Sequence, residues 1–266
     1  MNLTFWHWLK INFKVTTLLL FINIVVYLIT YLLTLLVFAG NDTLALSILG
    51  AQILPGSQYP FSAFILQPWR FITSSFLHGG LLHLAFNMWA LMSLGTYLEK
   101  YYGGKKLFLI YIFTAITSAL ASLIVGFIGL MQNNGMAEGV VASVGASGAI
   151  FGIVGVLLGN KLLKNKTYEA ELNLDTTNLL IIVFINLFLG FSFNFLGSGV
   201  YINNWAHLGG LAGGILLGTF LSTVNSFDVS KRKIIFEKIL FYFSVILFLL
   251  ACIANIIFIL SNFLNF

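Results

Sequence analysis

Four polar side chains interrupt long apolar runs in this 266-residue chain: His83, Asn87, Ser147 and His207. A serine hydroxyl becomes a nucleophile when a neighbouring base takes its proton, and histidine is the usual base. The tetrahedral oxyanion that follows needs hydrogen-bond donors already in place. His83 and Asn87 are four residues apart, so on a helix they share one face and can donate into a common site. Ser147 lies in Gly145-Ala146-Ser147-Gly148, behind the loop formers Asn133, Asn134 and Gly135. A helix opening near Ser147 would add free N–H groups and the positive end of a helix dipole. Serine, histidine and two donors are the minimum set for acyl transfer.

The elements that must bring them together are membrane helices. Hydrophobic residues make up 59% of the chain and charged residues only 8%, against roughly 25% charged in an ordinary soluble domain. A soluble enzyme, a disordered chain and a nucleic-acid-binding domain are thereby excluded. A lone cysteine, Cys252, rules out an internal disulfide. A span needs about 20 mostly apolar residues, and seven stretches qualify. They are Thr16–Ala39, Gly79–Leu98, Leu107–Met131, Gly139–Asn160, Thr176–Leu196, Asn203–Leu221 and Ile239–Leu264. The fifth and sixth are parted by Gly197, Ser198, Gly199, Asn203 and Asn204. Pro55, Pro60 and Pro68 all precede the second span, so the spans carry no proline kink.

The cations fix an orientation. Seven spans leave eight flanking segments, and twelve of the thirteen Lys and Arg residues fall on alternate ones; Arg70 is the exception. Cytoplasmic loops carry the Lys/Arg excess, which puts the N-terminus in the cytoplasm and the C-terminus outside. The sequence pI near 9.3 then reflects orientation and requires no acidic partner. The second, fourth and sixth spans all enter from outside. His83, Asn87, Ser147 (about a third of the way along its run) and His207 are expected at similar depth near the outer leaflet. The only outer acids are Asp42 and Glu138. A Ser–His dyad without a carboxylate is the economical reading, with Glu138 as the one candidate to orient the histidine.

Each feature has a plainer reading beside it. Gly148, Gly152, Gly155 and Gly159 permit close helix contact, so Ser147 alone reads as a small packing residue. His83 and Asn87 alone read as interhelical hydrogen-bond glue, and His78 as a loop or structural residue. Arg70 reads equally as a lipid-headgroup anchor and as a loop stabiliser. His7 between Trp6 and Trp8 reads as an interfacial anchor. No metal-ligand spacing and no phosphate-binding loop occurs, and no cofactor is expected.

Taken in order, these residues resemble the rhomboid family of intramembrane serine proteases. Trp69-Arg70 resembles the Trp-Arg of the family's long first outer loop. His78, His83 and Asn87 resemble its His-x4-His-x3-Asn, and Gly145-Ala146-Ser147-Gly148 its Gly-x-Ser-Gly. Ala206-His207, followed by Gly210 and Gly214, resembles its Ala-His with two later glycines. The resemblance covers about Trp69 to Gly214, and the flanking helices fit the bacterial six-plus-one layout. It implies an all-α polytopic fold: a cytoplasmic segment 1–15, a six-helix core 16–222, a basic cytoplasmic linker 223–238 and an additional helix 239–266. It implies Ser147 as nucleophile, His207 as general base, and an oxyanion hole of His83, Asn87 and the Ser147 N–H. Phe151 stands where some members stack a tyrosine on the catalytic histidine. Gly145, Gly148, Gly210, Gly214 and Arg70 would support the site. The long segment Gly40–Leu82 would lie partly in the interface, and the fifth span with its following loop would be the substrate gate.

The expected activity is hydrolysis of a peptide bond in or near a transmembrane segment of another protein, in a bacterial plasma membrane. The expected partners are membrane-protein substrates and the lipid bilayer, with no nucleic acid. An inactive relative that binds membrane clients is the alternative. A transporter, the third possibility, fits poorly because the spans carry no acid and show no paired broken helices.

Overall fold

The computed structural model describes residues 14–53, 67–132, 142–163, 202–223 and 229–263, with 181, 183–185, 187, 188 and 192. In chain order these form α1 (Lys14–Leu36), α2 (Asp42–Leu49), β1 (Gln52–Ile53), α3 (Arg70–Thr73), a 3-10 turn (Ser74–Phe76), α4 (Leu81–Tyr102), α5 (Gly104–Gln132), β2 (Ala142–Ser143), α6 (Ser147–Leu163), α7 (Asn204–Phe220) and α8 (Lys231–Phe263). The architecture is all-α and polytopic. Helices α1, α4, α5 and α8 are long and apolar enough to cross a bilayer. The fifth expected span lies mainly outside the described residues, but 181, 183–185, 187, 188 and 192 within it are helical. Most of the loop after it, which completes the expected gate, also lies outside them, as do Glu138 and the N-terminal Trp6-His7-Trp8.

The helices are inside-out relative to a soluble bundle. In α1 the buried side chains include Thr16, Asn23, Thr30 and Thr34, while Leu18, Phe21, Leu28 and Leu32 face outward. Hydrocarbon tolerates the apolar face, and polar groups turn inward to find partners. Glu99 near the end of α4 supplies one such partnership. Its carboxylate accepts from the backbone N–H groups of Val15 and Thr16, at 3.0 and 2.8 Å, and from the Thr16 hydroxyl at 2.7 Å. It thereby caps the first turn of α1, whose N–H groups have no helical acceptor.

Helix α5 is the central post and touches α1, α4, α6, α7 and α8. Its run Leu107–Ile112 is buried throughout. Against it, α6 and α7 pack at backbone distance. A Cβ on Gly210 would overlap the Gly148 carbonyl, one on Gly214 the Gly152 carbonyl, and one on Gly218 the Val156 carbonyl. One-turn spacing of small residues lets backbones approach this closely.

Two boundaries differ from the sequence expectation. The fourth span starts at Ser147 and not at Gly139, so the serine is the first residue of its helix. The preceding chain is occupied otherwise: Ala142–Ser143 pairs antiparallel with Gln52–Ile53, in the register Gln52↔Ser143 and Ile53↔Ala142. Gly145 then takes φ +125°, which cannot continue into a right-handed helix. The last helix begins at Lys231, so Lys231–Lys238 of the expected linker forms its first two turns.

Candidate active site

Ser147 and His207 come together at the start of two helices. The first helical bond of α6 runs from Ile150 N to the Ala146 carbonyl. The N–H groups of Ser147, Gly148 and Ala149 therefore have no helical acceptor and lie at the positive dipole end. On α7 the Asn203 side chain caps the first turn, accepting from Ala206 N at 3.1 Å. His207 follows one turn later. The backbone contact of Gly148 with Gly210 brings these two starts together, and His207 Nε2 lies 2.8 Å from Ser147 Oγ.

The histidine ring is held by stacking. Phe151 lies parallel to it, with centroids 4.4 Å apart and 2° between planes. Phe151 is four residues after Ser147, so both face α7 from one side of α6. His207 Nδ1 is buried and has no hydrogen-bond partner among the described residues. If Nε2 accepts the serine proton, Nδ1 carries the ring's own proton, and among the described residues the ring is held by the Phe151 face and the Ser147 contact.

His83 and Asn87 sit on the other side of Gly145. A Cβ at Gly145 would meet the His83 ring at 2.7 Å and the Asn87 amide nitrogen at 3.5 Å. Glycine is required twice here, for space and for φ +125°. The two side chains thus border the backbone two residues before Ser147. The Asn87 Nδ2 is buried with no protein acceptor among the described residues. With the free Ser147 N–H, this edge can supply donors to an anion.

His78 is not in the cluster but supports it. It is 2% exposed and meets His83 edge to face, with centroids 5.1 Å apart. Burial first, and then the neighbouring His83, push its pKa down to about 3; the nearby Phe76 carbonyl opposes the shift. It is therefore a neutral packing ring at ordinary pH. Arg70 also lies away from the serine and is 5% exposed. It donates to the Ser47 and Ala51 carbonyls at 2.7 and 2.6 Å, and to Gln67. Of its two sequence readings, loop stabiliser matches this placement.

In the sequence Asn203 reads only as a loop former. Its Nδ2 donates to Ser143 Oγ at 3.1 Å and also to Ser122 Oγ, so one side chain ties α5, β2 and α7. Its place four residues before His207, at a helix start, was the available signal. Among the described residues no group of three or more His, Cys, Asp or Glu could hold a metal ion.

The family model described as Rhomboid domain matches residues 66–224, more than half of the chain. Three relatives illustrate the similarity. The "Rhomboid protease GluP" of Bacillus subtilis is 37% identical over 164 residues, which is 62% of this chain and 28% of that protein. The "RHOMBOID-like protein 5" of Arabidopsis thaliana is 35% identical over 58% of this chain and 44% of its own length. The "Rhomboid-like protease 2" of Toxoplasma gondii is 29% identical over 64% of this chain and 53% of its own. The match thus spans between about a quarter and half of these relatives.

Proposed function

The chain belongs to the rhomboid family, and from that premise we propose that it is an intramembrane serine endopeptidase that cleaves transmembrane segments of other membrane proteins. The observation that carries this is the 2.8 Å Ser147–His207 contact beneath the stacked Phe151 ring. In the proposed reaction His207 Nε2 takes the Ser147 hydroxyl proton as Oγ attacks the scissile carbonyl carbon. The oxyanion is held by His83, Asn87 and the Ser147 N–H. Collapse breaks the C–N bond, and His207 returns the proton to the leaving amine. Water, deprotonated by His207, then attacks the acyl-serine ester. The acid is released and Ser147 regains its proton. No cofactor enters the balance.

The cation distribution supports an N-terminus in the cytoplasm and a site opening on the outer face, and the family resemblance and helix layout support a bacterial plasma membrane. A helical substrate shields its backbone with its own hydrogen bonds. Small or helix-breaking residues are therefore expected beside the cleaved bond, where the peptide unwinds.

The test uses protein in liposomes with a fluorogenic transmembrane substrate. Wild type should cleave, and Ser147→Ala and His207→Ala should each abolish cleavage. Equal cleavage by Ser147→Ala would remove the nucleophile. A folded wild type inert on several substrates would favour a client-binding relative.

A further inference from the structure

Helix α8 lies outside the matched domain, and nothing in the mechanism above uses it. Most of its surface is lipid-facing: Ile246, Ile253, Ile256, Ile257 and Leu260 are all exposed. A plain membrane anchor would need no more than that. Yet one stripe along it turns inward: Glu237, Phe241, Ser244, Phe248, Ala251, Asn255 and Phe258 recur at alternating spacings of four and three, the a/d period of interlocking helices. Glu237, Ser244 and Ala251 on it are buried.

The two ends of the stripe grip different things. Near the start, Glu237 pairs with Lys106 of α5 at 2.8 Å and accepts from Ser222 N, just past α7, at 2.7 Å. In the middle, Phe248 packs on Phe76 and Phe108, with centroids 5.5 and 5.6 Å apart. At the far end, Asn255 Nδ2 donates to the Leu49 carbonyl at 3.0 Å. That contact falls on the Gly50 turn, where φ is +108° and an added Cβ would meet Asn255 Oδ1 and Thr73 Oγ1 at 2.7 Å. Phe258 packs on Trp69 at 5.7 Å and under the Arg70 guanidinium at 5.2 Å.

This far end leads to the site by a short route. Arg70 bonds the Ser47 and Ala51 carbonyls, beside β1, and β1 pairs with β2 four residues before Ser147. Arg70 also opens α3, whose 3-10 continuation begins at Ser74, and the Ser74 carbonyl accepts from Gly145 N at 3.0 Å. Gly145 is the residue that borders His83 and Asn87. The near end is farther from the site: on α5, Lys106 is twelve residues, about 18 Å along the helix, before Ser118, whose side chain lies against Gly148, and Ser222 is fifteen residues past His207.

We propose that α8 is a positioning element for the site, with Asn255 and Phe258 as positioning residues that hold the α2–β1–α3 layer and, through it, Gly145. The Glu237 end only fastens the helix. The kinetic part of this rests on the endopeptidase reading; the structural part does not.

The experiment compares Asn255→Ala and Phe258→Ala with Glu237→Gln in full-length protein in liposomes. Hydrogen exchange is followed over the segment 142–149, with melting temperature, kcat and KM on the fluorogenic substrate, and the rate of Ser147 labelling by a fluorophosphonate. The two far-end variants should speed exchange at 142–149 and lower kcat and labelling by about tenfold with KM little changed. Glu237→Gln should lower the melting temperature and leave exchange at 142–149 and kcat as in wild type. Wild-type exchange at 142–149 in both far-end variants overturns the proposal. So does equal acceleration by Glu237→Gln, which would make α8 a general stabiliser. A wild type that neither cleaves nor labels defeats the endopeptidase reading instead, and the exchange comparison still decides the role of α8.

Discussion

The Asn203 side chain donates to Ser143 Oγ at 3.1 Å, and the Ser147–His207 contact of 2.8 Å lies four residues further along both segments. The two cross-links are parallel rungs between the same pair of chain segments. The first is made where β2 and the α7 cap are still outside their helices, and the second on the first turn of each helix. The upper rung therefore fixes the register in which the two helices start. Asn203 fills both roles, because its Oδ1 caps α7 while its Nδ2 reaches Ser143 and Ser122.

Asn203→Ala removes both roles. The lost cap should cost about 1 kcal/mol of stability. The lost rung should lower kcat beyond what that loss explains, with KM nearly unchanged. Asn203→Asp keeps the cap acceptor and can accept from the Ser143 and Ser122 hydroxyls. It should recover the melting temperature and most of the kcat. Thermal melts and steady-state kinetics on the three proteins check this; identical kcat in Asn203→Ala and wild type would leave the residue with a capping role alone.

Phe151 presents a face and no hydroxyl to His207. An aromatic pair of this kind contributes about 0.5–1.5 kcal/mol beyond its area, which as lost orientation is roughly a twofold to tenfold fall in kcat. Phe151→Leu should show that fall with KM unchanged. Phe151→Tyr keeps the face and should stay near wild type. If Phe151→Leu matches wild type, the ring is oriented by something other than this stack.

The sequence made the span pattern and the chemical cluster legible because both are local or periodic signals. Ser147, His207, His83 and Asn87 stand out as polar residues in hydrocarbon-length runs, and the loop lysines give the expected orientation. Contacts across long separations were hidden. Glu99 capping α1 across 83 residues and Lys106 meeting Glu237 leave no periodic trace. The start of α6 is hidden in the sequence for a related reason. Gly139–Gly145 is apolar enough to pass as helix, but within it Ala142–Ser143 pairs with Gln52–Ile53, far upstream, and Gly145 takes φ +125°.

His83 and Asn87 border Gly145 from α4, so a donor removed there is not replaced by a neighbour on α6. Loss of one oxyanion donor costs on the order of 100–1,000-fold in kcat. His83→Ala and Asn87→Ala should each fall by that order with KM little changed, and the double variant by less than the product if both serve one oxyanion as proposed. Steady-state kinetics with a single transmembrane substrate measures this. Fully multiplicative losses would mean that the two residues act on separate steps.

His78 should add acid sensitivity to the layer beneath the site. Its pKa is lowered from 6.5 to about 3 by burial and by the adjacent His83. Between those values the unfolded chain binds a proton that the folded chain refuses, so protonation favours unfolding. Its contribution to stability is therefore full above pH 6.5 and is lost as pH falls toward about 3. The limiting slope is about 1.4 kcal/mol per pH unit. The ring contacts His83, so this loosening should be felt at the Gly145 edge before the whole bundle melts. His78→Phe keeps a flat ring and removes the titration. Melting temperatures from pH 8 down to pH 4 should fall less steeply for His78→Phe than for wild type. The other histidines are common to both proteins, and of these His83 touches the substituted ring, so the difference reports His78 together with its coupling to His83. Parallel pH profiles would show that His78 does not titrate with unfolding, and that the acid sensitivity of the fold lies elsewhere.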